Sequence, residues 1–366
     1  MSSLPPPTPL ALSHSQQVVE HIVREIHASE GWIDFARFME LALYAPGLGY
    51  YSAGAAKFGG EGDFVTAPEI SSLFGRTLAR LIATTLENTG GDILELGAGS
   101  GRLALDLLRE LDRINQLPDQ YRILELSADL RERQHALFQQ QAPDLLDRMI
   151  WLDTLPTFFR GVVLGNEVLD AMPVHLVNWR QEEIWERGVA FEDGRFIWRD
   201  KLMPAGELRT TAERILPGEG YISEISLAVP ALIRSIGKIL HQGIAFFIDY
   251  GFLRDAYYHP QRHCGTLMCH YRHRAHDDPF YLPGLQDITA HVDFTAVAEA
   301  ASEAGMEVLE ITTQARFLID CGITDLLAEV DPRDTVAYLP LANQVQRLLS
   351  PAEMGELFKV AVLEVR

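Results

Sequence analysis

Short apolar runs alternate with helical stretches through much of the chain. The runs are rich in Val, Ile, Leu and Phe, whereas the stretches between them repeat apolar positions every three or four residues. Strands that alternate with helices in this way are typical of a parallel sheet covered by helices. The predicted strands are residues 92–96, 121–126, 149–153, 161–167, 244–251, 306–312 and 358–365. The pattern therefore predicts an α/β fold with a mostly parallel sheet.

Other segments depart from this alternation. Residues 15–45 have helical periodicity, and a helix is predicted at about residues 73–86. Across residues 174–200, apolar and polar positions alternate around a Glu-Asp-Gly turn, which predicts antiparallel strands. Residues 1–91 are predicted to form an N-terminal helical region that includes a lid, and residues 92–366 the core. Two insertions interrupt the core, at about residues 174–222 and about residues 251–290.

Three glycines at alternate positions follow the first predicted strand. Gly97, Gly99 and Gly101 precede a helical pattern, so the backbone must turn tightly and approach a ligand closely. A dinucleotide fold has its third glycine five residues after the first, where this chain has Arg102. Glu95, beside the turn, would attract a cation and repel a pyrophosphate. The spacing resembles the first motif of class I methyltransferases, which bind S-adenosylmethionine; the alternative is an ordinary strand-to-helix turn.

Two acids lie at the ends of the next predicted strands. Glu125 is near the carboxyl end of the second strand, where ligands of open α/β sheets bind, and its carboxylate is suited to accept both ribose hydroxyls of an adenosine. The alternative is that Glu125 caps the helix that begins near Ser127. Asp153, after the third strand, is a further candidate for the adenine amino group.

Composition narrows the class of protein and its partners. A hydrophobic content of 47% is ample for a core, and 31 basic against 51 acidic residues give a formal net charge of −20. This charge argues against binding to nucleic acid or anionic membranes, and a basic protein segment suits it better. The three cysteines predict reduced thiols and a cytoplasmic location, with no secretory signal or transit peptide at the N-terminus. No apolar stretch approaches the roughly twenty residues of a membrane span.

Six separated segments occur in the same order as in the MidA-type methyltransferases, which the chain resembles. The segments are residues 41–51, 62–71, 95–104, 165–175, 248–251 and 265–294. The resemblance implies a Rossmann-like class I fold with a seven-stranded, mostly parallel sheet, and S-adenosylmethionine as cofactor. The family includes a mitochondrial protein-arginine methyltransferase needed for assembly of respiratory complex I, so it also implies a protein substrate such as a quinone-oxidoreductase subunit.

The resemblance points to residues 165–170, Gly-Asn-Glu-Val-Leu-Asp, as the centre of the chemistry. Glu167 and Asp170 supply two carboxylates that suit bidentate binding of a guanidinium group, and His175 is placed to receive a proton. Asn166 is expected to contact the cofactor. The alternative is that Asn166 and Asp170 open the next helix while Glu167 is solvated.

Two further regions have both a functional and a structural interpretation. Thr66 and Glu69 are expected to close over the cofactor as part of a lid, and their spacing also predicts a capping box at a helix N-terminus. Residues 254–276 concentrate Arg and His and include Cys264 and Cys269, but the spacing fits no common zinc pattern, so we expect no metal.

These observations favour an S-adenosylmethionine-dependent methyltransferase that acts on protein arginine. A non-catalytic assembly factor that binds the cofactor would not require carboxylates at the methyl position. A small-molecule methyltransferase would not require such large additions to the core. Both alternatives stay open at this point.

Overall fold

The computed structural model describes residues 4–53, 66–180, 182–215 and 217–366. These residues form two compact units. Unit 1 takes its residues from 1–64, 170–230 and 253–291, and unit 2 from 65–169, 231–252 and 292–366. Within the described ranges, no helix has the length and apolar character needed to cross a membrane.

The helices of the described residues are α1 (Pro9–Ala28), α2 (Phe35–Tyr44), α3 (Ala67–Ile70), α4 (Ser72–Thr89), α5 (Arg102–Arg113), α6 (Ala128–Gln141), α7 (Glu207–Ile215), α8 (Ala228–Ile239), α9 (Arg254–Tyr257), α10 (Phe294–Glu303), α11 (Gln314–Asp320), α12 (Ile323–Ala328) and α13 (Thr335–Leu349). The strands are β1 (Ile33–Asp34), β2 (Asp92–Leu96), β3 (Tyr121–Leu124), β4 (Met149–Leu152), β5 (Phe159–Asn166), β6 (His175–Arg180), β7 (Glu183–Glu192), β8 (Arg195–Leu202), β9 (Tyr221–Ile225), β10 (Leu240–Phe252), β11 (Met268–Tyr271), β12 (Arg274–His276), β13 (Asp287–Thr289), β14 (Val292–Asp293), β15 (Glu307–Thr313) and β16 (Phe358–Val365).

Unit 2 is built on the mostly parallel sheet that the sequence predicts. Its strand order is β15-β16-β10-β5-β2-β3-β4, and the short strand β14 also pairs with β10. The four pairs from β10 to β4, namely β10–β5, β5–β2, β2–β3 and β3–β4, are parallel. Strand β16 runs antiparallel to both β10 and β15. From β2 the chain first adds β3 and β4 on one side, and β5 then lies on the other side. The direction of winding thus reverses between β2 and β5, and this is the place where open α/β sheets bind ligands.

The core of unit 2 explains why its strands read as continuous apolar runs. Phe246 and Phe247 in β10 are both fully or almost fully buried, as are Ile93 and Leu94 in β2. Strands covered by helices on both faces bury successive side chains, so they lack the alternation of a half-exposed strand. Among the helices of this unit, α4 and α5 are neighbours in the same core.

Unit 1 contains the antiparallel strands predicted between residues 174 and 200. The sheet order is β1-β7-β6-β9, and β8 pairs with β7 through a hairpin. At the hairpin Asp193 and Gly194 have φ angles of 49° and 77°, which suit a two-residue turn between strands. Strands β12, β11 and β13 form a separate antiparallel sheet.

A shared hydrophobic core joins the three chain segments of unit 1. Phe35, Val189 and Ile288 come from different segments, are fully buried and belong to one cluster. The helical periodicity over residues 15–45 corresponds to two helices, α1 and α2, which are separated by a turn at Gly31 with a φ of 79°. Residue 91, where the sequence pattern placed a division, lies inside unit 2, after α4 and before β2.

Candidate functional site

The glycine turn after β2 has a backbone that only glycine adopts without strain. Gly97, Gly99 and Gly101 have φ angles of 61°, 53° and 82°. The N–H of Gly97 donates to the carbonyl of Leu124, the last residue of β3, at 2.9 Å, and Gly101 is the N-cap of α5. A Cβ atom added at Gly99 would meet no heavy atom within 4 Å, so the space above the middle of the turn is open. The turn therefore lets a ligand approach the backbone.

Glu95 lies inside the sheet rather than beside open space. Its side chain is 2% exposed, and the Tyr121 hydroxyl donates to Glu95 Oε2 at 2.8 Å. Burial and, to a smaller extent, nearby Glu125 together raise the pKa of Glu95 to about 8, although the Tyr121 hydrogen bond opposes that rise. A carboxyl with this pKa is mostly neutral at pH 7, so it does not provide the negative charge that the sequence argument assigned to it. A contact between Glu95 and the cofactor stays a prediction.

Glu125 is held at the end of β3 by two hydrogen bonds. The Ser127 N–H donates to Glu125 Oε1 at 3.0 Å, and the Gln134 amide donates to Glu125 Oε2 at 3.2 Å. Burial raises the pKa of Glu125, and the bond from the Ser127 backbone opposes that rise. Helix α6 has its own cap, because Ser127 Oγ accepts from the Leu130 N–H. The carboxylate thus stabilises the start of α6, and each oxygen keeps a further lone pair for a ligand.

Asp153 and its partner lie at the end of β4. The Asp153 side chain is 88% exposed and forms an ion pair with Arg131, with a nitrogen–oxygen distance of 2.8 Å. Arg131 also donates to the backbone carbonyls of Glu125 and Leu152, each at 2.6 Å. Arg131 therefore connects the ends of β3 and β4, and Asp153 is the exposed end of this connection.

Glu167 has an unusual backbone conformation directly after β5. Its φ is 53°, a left-handed value that is uncommon for residues other than glycine and is often found at functional sites. Its N–H donates to the carbonyl of Ile248 in β10 at 2.8 Å. Its carboxylate Oε1 accepts from the Ala67 N–H at 3.3 Å and from the Asn166 amide at 3.1 Å. The carboxylate is thereby held at the carboxyl edge of the sheet.

Asn166 and Val168 connect this edge with the glycine turn. Val168 lies against the turn, since a Cβ atom added at Gly97 would be 2.8 Å from Val168 Cγ1. The Asn166 side-chain oxygen is buried and has no hydrogen-bond partner among the described residues. A buried acceptor without a partner costs free energy unless a ligand or water satisfies it. The turn after β2 and the carboxyl end of β5 thus lie against each other in unit 2 and make up one candidate site.

Thr66 and Glu69 belong to α3, and the predicted capping box is wrong. Thr66 is the N-cap residue of α3, but its side chain makes no capping hydrogen bond. The Glu69 carboxylate instead accepts a hydrogen bond from the Ser100 hydroxyl of the glycine turn. The reason is that α3 is only four residues long and its one acid is engaged outside the helix. Of residues 62–71, the segment expected to act as a lid, residues 62–65 lie outside the described residues.

Asp170 and His175 belong to unit 1. Asp170 is 7% exposed, and its carbonyl accepts from the Ala290 N–H at 2.9 Å. His175 begins β6, and its Nδ1 lies 2.7 Å from Glu186 Oε1 and 3.9 Å from Asp34 Oδ1. The Glu186 carboxylate therefore orients the imidazole ring. Ligand atoms of these three side chains all lie within 4.8 Å of one another.

The two cysteines between residues 254 and 276 differ in their exposure to solvent. Cys269 is buried in β11, where burial raises the pKa of its thiol, whereas Cys264 is exposed beside His263. Cysteine binds a metal ion as its thiolate, so a thiol with a raised pKa is a poor ligand.

Two residues near the turn were missed by the sequence interpretation. Gln134, on α6, bonds to the carbonyl of Gly99 as well as to Glu125, and Ser100 bonds to Glu69. The signal for Gln134 is its position four residues before the buried Phe138, which places a polar side chain on the buried face of α6. Ser100 had no comparable signal, because a serine between glycines is ordinary in a turn.

Comparisons with known proteins define the class. Residues 77–312 match the family of S-adenosyl-L-methionine-dependent methyltransferases, and the chain belongs to this family. The predicted family, fold class and cofactor are confirmed. Gly99, with open space above it, and Asn166, with its unsatisfied buried acceptor, fit a ligand of this kind at the edge formed by β2 and β5.

Particular relatives extend over nearly the whole chain. A Drosophila melanogaster protein named protein arginine methyltransferase NDUFAF7 homolog, mitochondrial, is 29% identical over 399 residues, covering 97% of this chain and 87% of the relative. The Homo sapiens protein arginine methyltransferase NDUFAF7, mitochondrial, is 27% identical over 393 residues, covering 94% and 83%. The crystal structure of a Burkholderia thailandensis protein bound to S-adenosyl-homocysteine is 50% identical, has a TM-score of 0.94, and covers 99% of this chain and 95% of that one.

The names of these relatives contradict the predicted cytoplasmic location. The Drosophila and human proteins are both named as mitochondrial. The inference from three reduced cysteines was wrong because few cysteines indicate a reducing environment without saying which compartment provides it.

Proposed function

We propose that this methyltransferase methylates an arginine side chain of a protein, such as a subunit of the quinone oxidoreductase of respiratory complex I. The relatives named as protein arginine methyltransferases support the choice of arginine. The net charge of −20 supports a basic segment as the substrate.

The observation that carries the proposal is the conformation of Glu167. A φ of 53° is uncommon for a non-glycine residue, and contacts with Ile248, Ala67 and Asn166 hold Glu167 in this conformation. These contacts place a carboxylate at the carboxyl end of β5, next to the glycine turn of β2. A preorganised carboxylate at this position is suited to bind a planar guanidinium group through two hydrogen bonds.

Methyl transfer to nitrogen requires orientation more than acid or base strength. When bound, S-adenosylmethionine supplies a methyl group attached to a sulfonium. Glu167 would orient the attacking guanidinium nitrogen and stabilise the positive charge that spreads over the guanidinium as its new bond to carbon forms. The sequence pattern proposes Asp170 as a second carboxylate for the guanidinium and His175 as the acceptor of the proton that the nitrogen loses.

Glu167→Gln tests this function, because glutamine keeps the size of the side chain and one acceptor while removing its charge. We expect S-adenosylhomocysteine affinity to survive and methylation to fall about a hundredfold. Intact-mass analysis of a quinone-oxidoreductase subunit, co-expressed with each variant, measures methylation, and calorimetric titration measures affinity.

A matched control is Glu30→Gln, since Glu30 is an exposed residue of unit 1 with a similar φ of 57°. This control should methylate as the wild type does. Equal methylation by Glu167→Gln would show that another group holds the arginine. If the wild type methylates no subunit and yet promotes assembly of its partner, the non-catalytic assembly factor is the better interpretation.

A further inference from the structure

We propose that Gln134 is a positioning residue for the cofactor, because its one amide group holds both the glycine turn and the carboxylate of Glu125. Gln134 lies on α6 and its side chain is fully buried. Polar side chains are rarely buried to this degree unless every polar atom has a partner.

Three hydrogen bonds engage both ends of the amide. Nε2 donates to the carbonyl of Gly99 at 2.9 Å and to Glu125 Oε2 at 3.2 Å. Oε1 accepts from the indole N–H of Trp151, in β4, at 2.8 Å. The amide thereby connects the ends of three neighbouring strands, β2, β3 and β4. These ends lie at the carboxyl edge of the sheet, where open α/β sheets bind their ligands.

Trp151 determines which way the amide points. An indole N–H is only a donor, so it requires the amide oxygen. The amide nitrogen is then left for the Gly99 carbonyl and the Glu125 carboxylate, which are only acceptors. The flipped amide would place its oxygen against both acceptors and leave the indole N–H unpaired, so a single orientation satisfies all partners.

The same side chain also limits the position of the turn. A Cβ atom added at Gly101 would be 3.2 Å from Gln134 Cγ, so the backbone of the turn packs directly on this side chain. Because Glu125 Oε1 is held by the Ser127 N–H, the bond from Gln134 to Oε2 completes the orientation of the carboxylate. Gln134 thus determines the relative positions of the open glycine turn and the acid expected at the ribose.

This inference rests on the proposed role of Glu125 and is independent of arginine as substrate. The test uses S-adenosylhomocysteine binding to the full chain, measured by calorimetric titration, and needs no substrate protein. Its failure would therefore not be confused with failure of the arginine proposal.

Gln134→Met keeps the length and packing of the side chain and removes the amide. We expect S-adenosylhomocysteine affinity to fall by about tenfold to a hundredfold, the range for lost hydrogen bonds that involve a charged group. Gln139→Met is the matched control, because Gln139 lies on the exposed face of the same helix. This variant should bind S-adenosylhomocysteine with the affinity of the wild type. Unfolding by urea without ligand measures stability separately. Unchanged affinity in Gln134→Met, with or without loss of stability, would overturn the proposal and leave Gln134 as a core residue.

A double-mutant cycle with Glu125→Gln separates positioning from general packing. If Gln134 acts in part through Glu125, then Gln134→Met should reduce affinity by a smaller factor when Glu125 is already replaced. Equal factors in both backgrounds would contradict action through Glu125. Should Gln134→Met fail to fold, Trp151→Phe provides the second variant, since it keeps an aromatic ring and removes the N–H that orients the amide. It should reduce affinity severalfold, and wild-type affinity would overturn the proposal.

Discussion

At the scale of single residues, the buried acid Glu95 shows how burial changes the chemistry of a side chain. Its hydrogen bond from Tyr121 does not offset the loss of hydration, and its pKa rises to about 8. The pKa of Tyr121 is also raised well above its usual value, first by burial and then by the Glu95 charge. The pair is therefore a neutral carboxyl and a neutral phenol at pH 7.

A raised pKa in the folded state makes stability depend on pH. Between the ordinary glutamate pKa of about 4.3 and the folded value of about 8, the folded chain holds a proton on Glu95 that the unfolded chain has lost. Stability from this group is thus fully present below pH 4 and decreases as pH rises to 8, by up to about 1.4 kcal/mol per unit.

Glu95→Gln should remove this dependence, because glutamine is neutral at every pH and still accepts from Tyr121. We expect the free energy of unfolding of the variant to fall less than that of the wild type between pH 5 and pH 8, as measured by urea denaturation. Glu87→Gln, at an exposed position, should follow the wild-type profile. Parallel profiles for Glu95→Gln and the wild type would mean that Glu95 titrates normally.

At the scale of elements, a buried carboxylate fastens the segment before β11 to strand β9. Glu224 is 1% exposed, and its Oε1 accepts from the backbone N–H groups of Thr266 and Leu267, both at 2.9 Å. The Tyr257 hydroxyl donates to the same carboxylate at 3.2 Å. This arrangement explains the glycine at position 265, since Gly265 has a φ of 80° and lets the backbone approach the acid.

Gly265→Ala should be strongly destabilising, since its Cβ atom would lie 2.3 Å from Glu224 Oε1. Gly31→Ala is the matched control, because Gly31 has a φ of 79° and nothing within 4 Å of an added Cβ. The control carries only the backbone cost of roughly 1 kcal/mol, and Gly265→Ala should lose several times as much. Chemical denaturation of both variants measures the difference. Equal losses would show that Glu224 moves aside without cost.

At the scale of the whole molecule, the glycine spacing selects one class of ligand. The chain has open space at Gly99 and lacks the third glycine at position 102 that a dinucleotide fold uses. We expect S-adenosylhomocysteine to raise the melting temperature and NAD to leave it unchanged. At a concentration a hundred times its Kd, a ligand of the folded state adds about 2.7 kcal/mol of stability. Stabilisation by NAD equal to that by S-adenosylhomocysteine would contradict the glycine argument.

Gly99→Val should abolish this ligand-induced shift by filling the open space above the turn. Gly90→Val is the matched control: Gly90 has a similar φ of 57° and forms the C-terminal cap of α4, so it shares the backbone strain without facing the turn. We expect the control to melt at a lower temperature and still respond to S-adenosylhomocysteine. A normal response in Gly99→Val, measured by thermal unfolding, would place the ligand away from the turn.

The sequence by itself determined the features that depend on local pattern. Strand β16 was predicted over the same residues that form it, and the sheet strands of unit 2 follow from continuous apolar runs. The turn with Gly97, Gly99 and Gly101 was also predicted, because left-handed backbone restricts the residue type at each position. These features need only neighbouring residues or a repeating period, which a sequence displays directly.

Only the tertiary structure decided which distant side chains meet. It joined three chain segments into unit 1 through a shared core, and it paired Glu95 with Tyr121. It also turned Glu69 towards Ser100 in place of a capping box, and it brought Gln134 to the glycine turn. Contacts between residues far apart in the chain depend on how strands and helices pack, and burial, not residue type, sets the pKa of an acid such as Glu95. No local pattern carries that information.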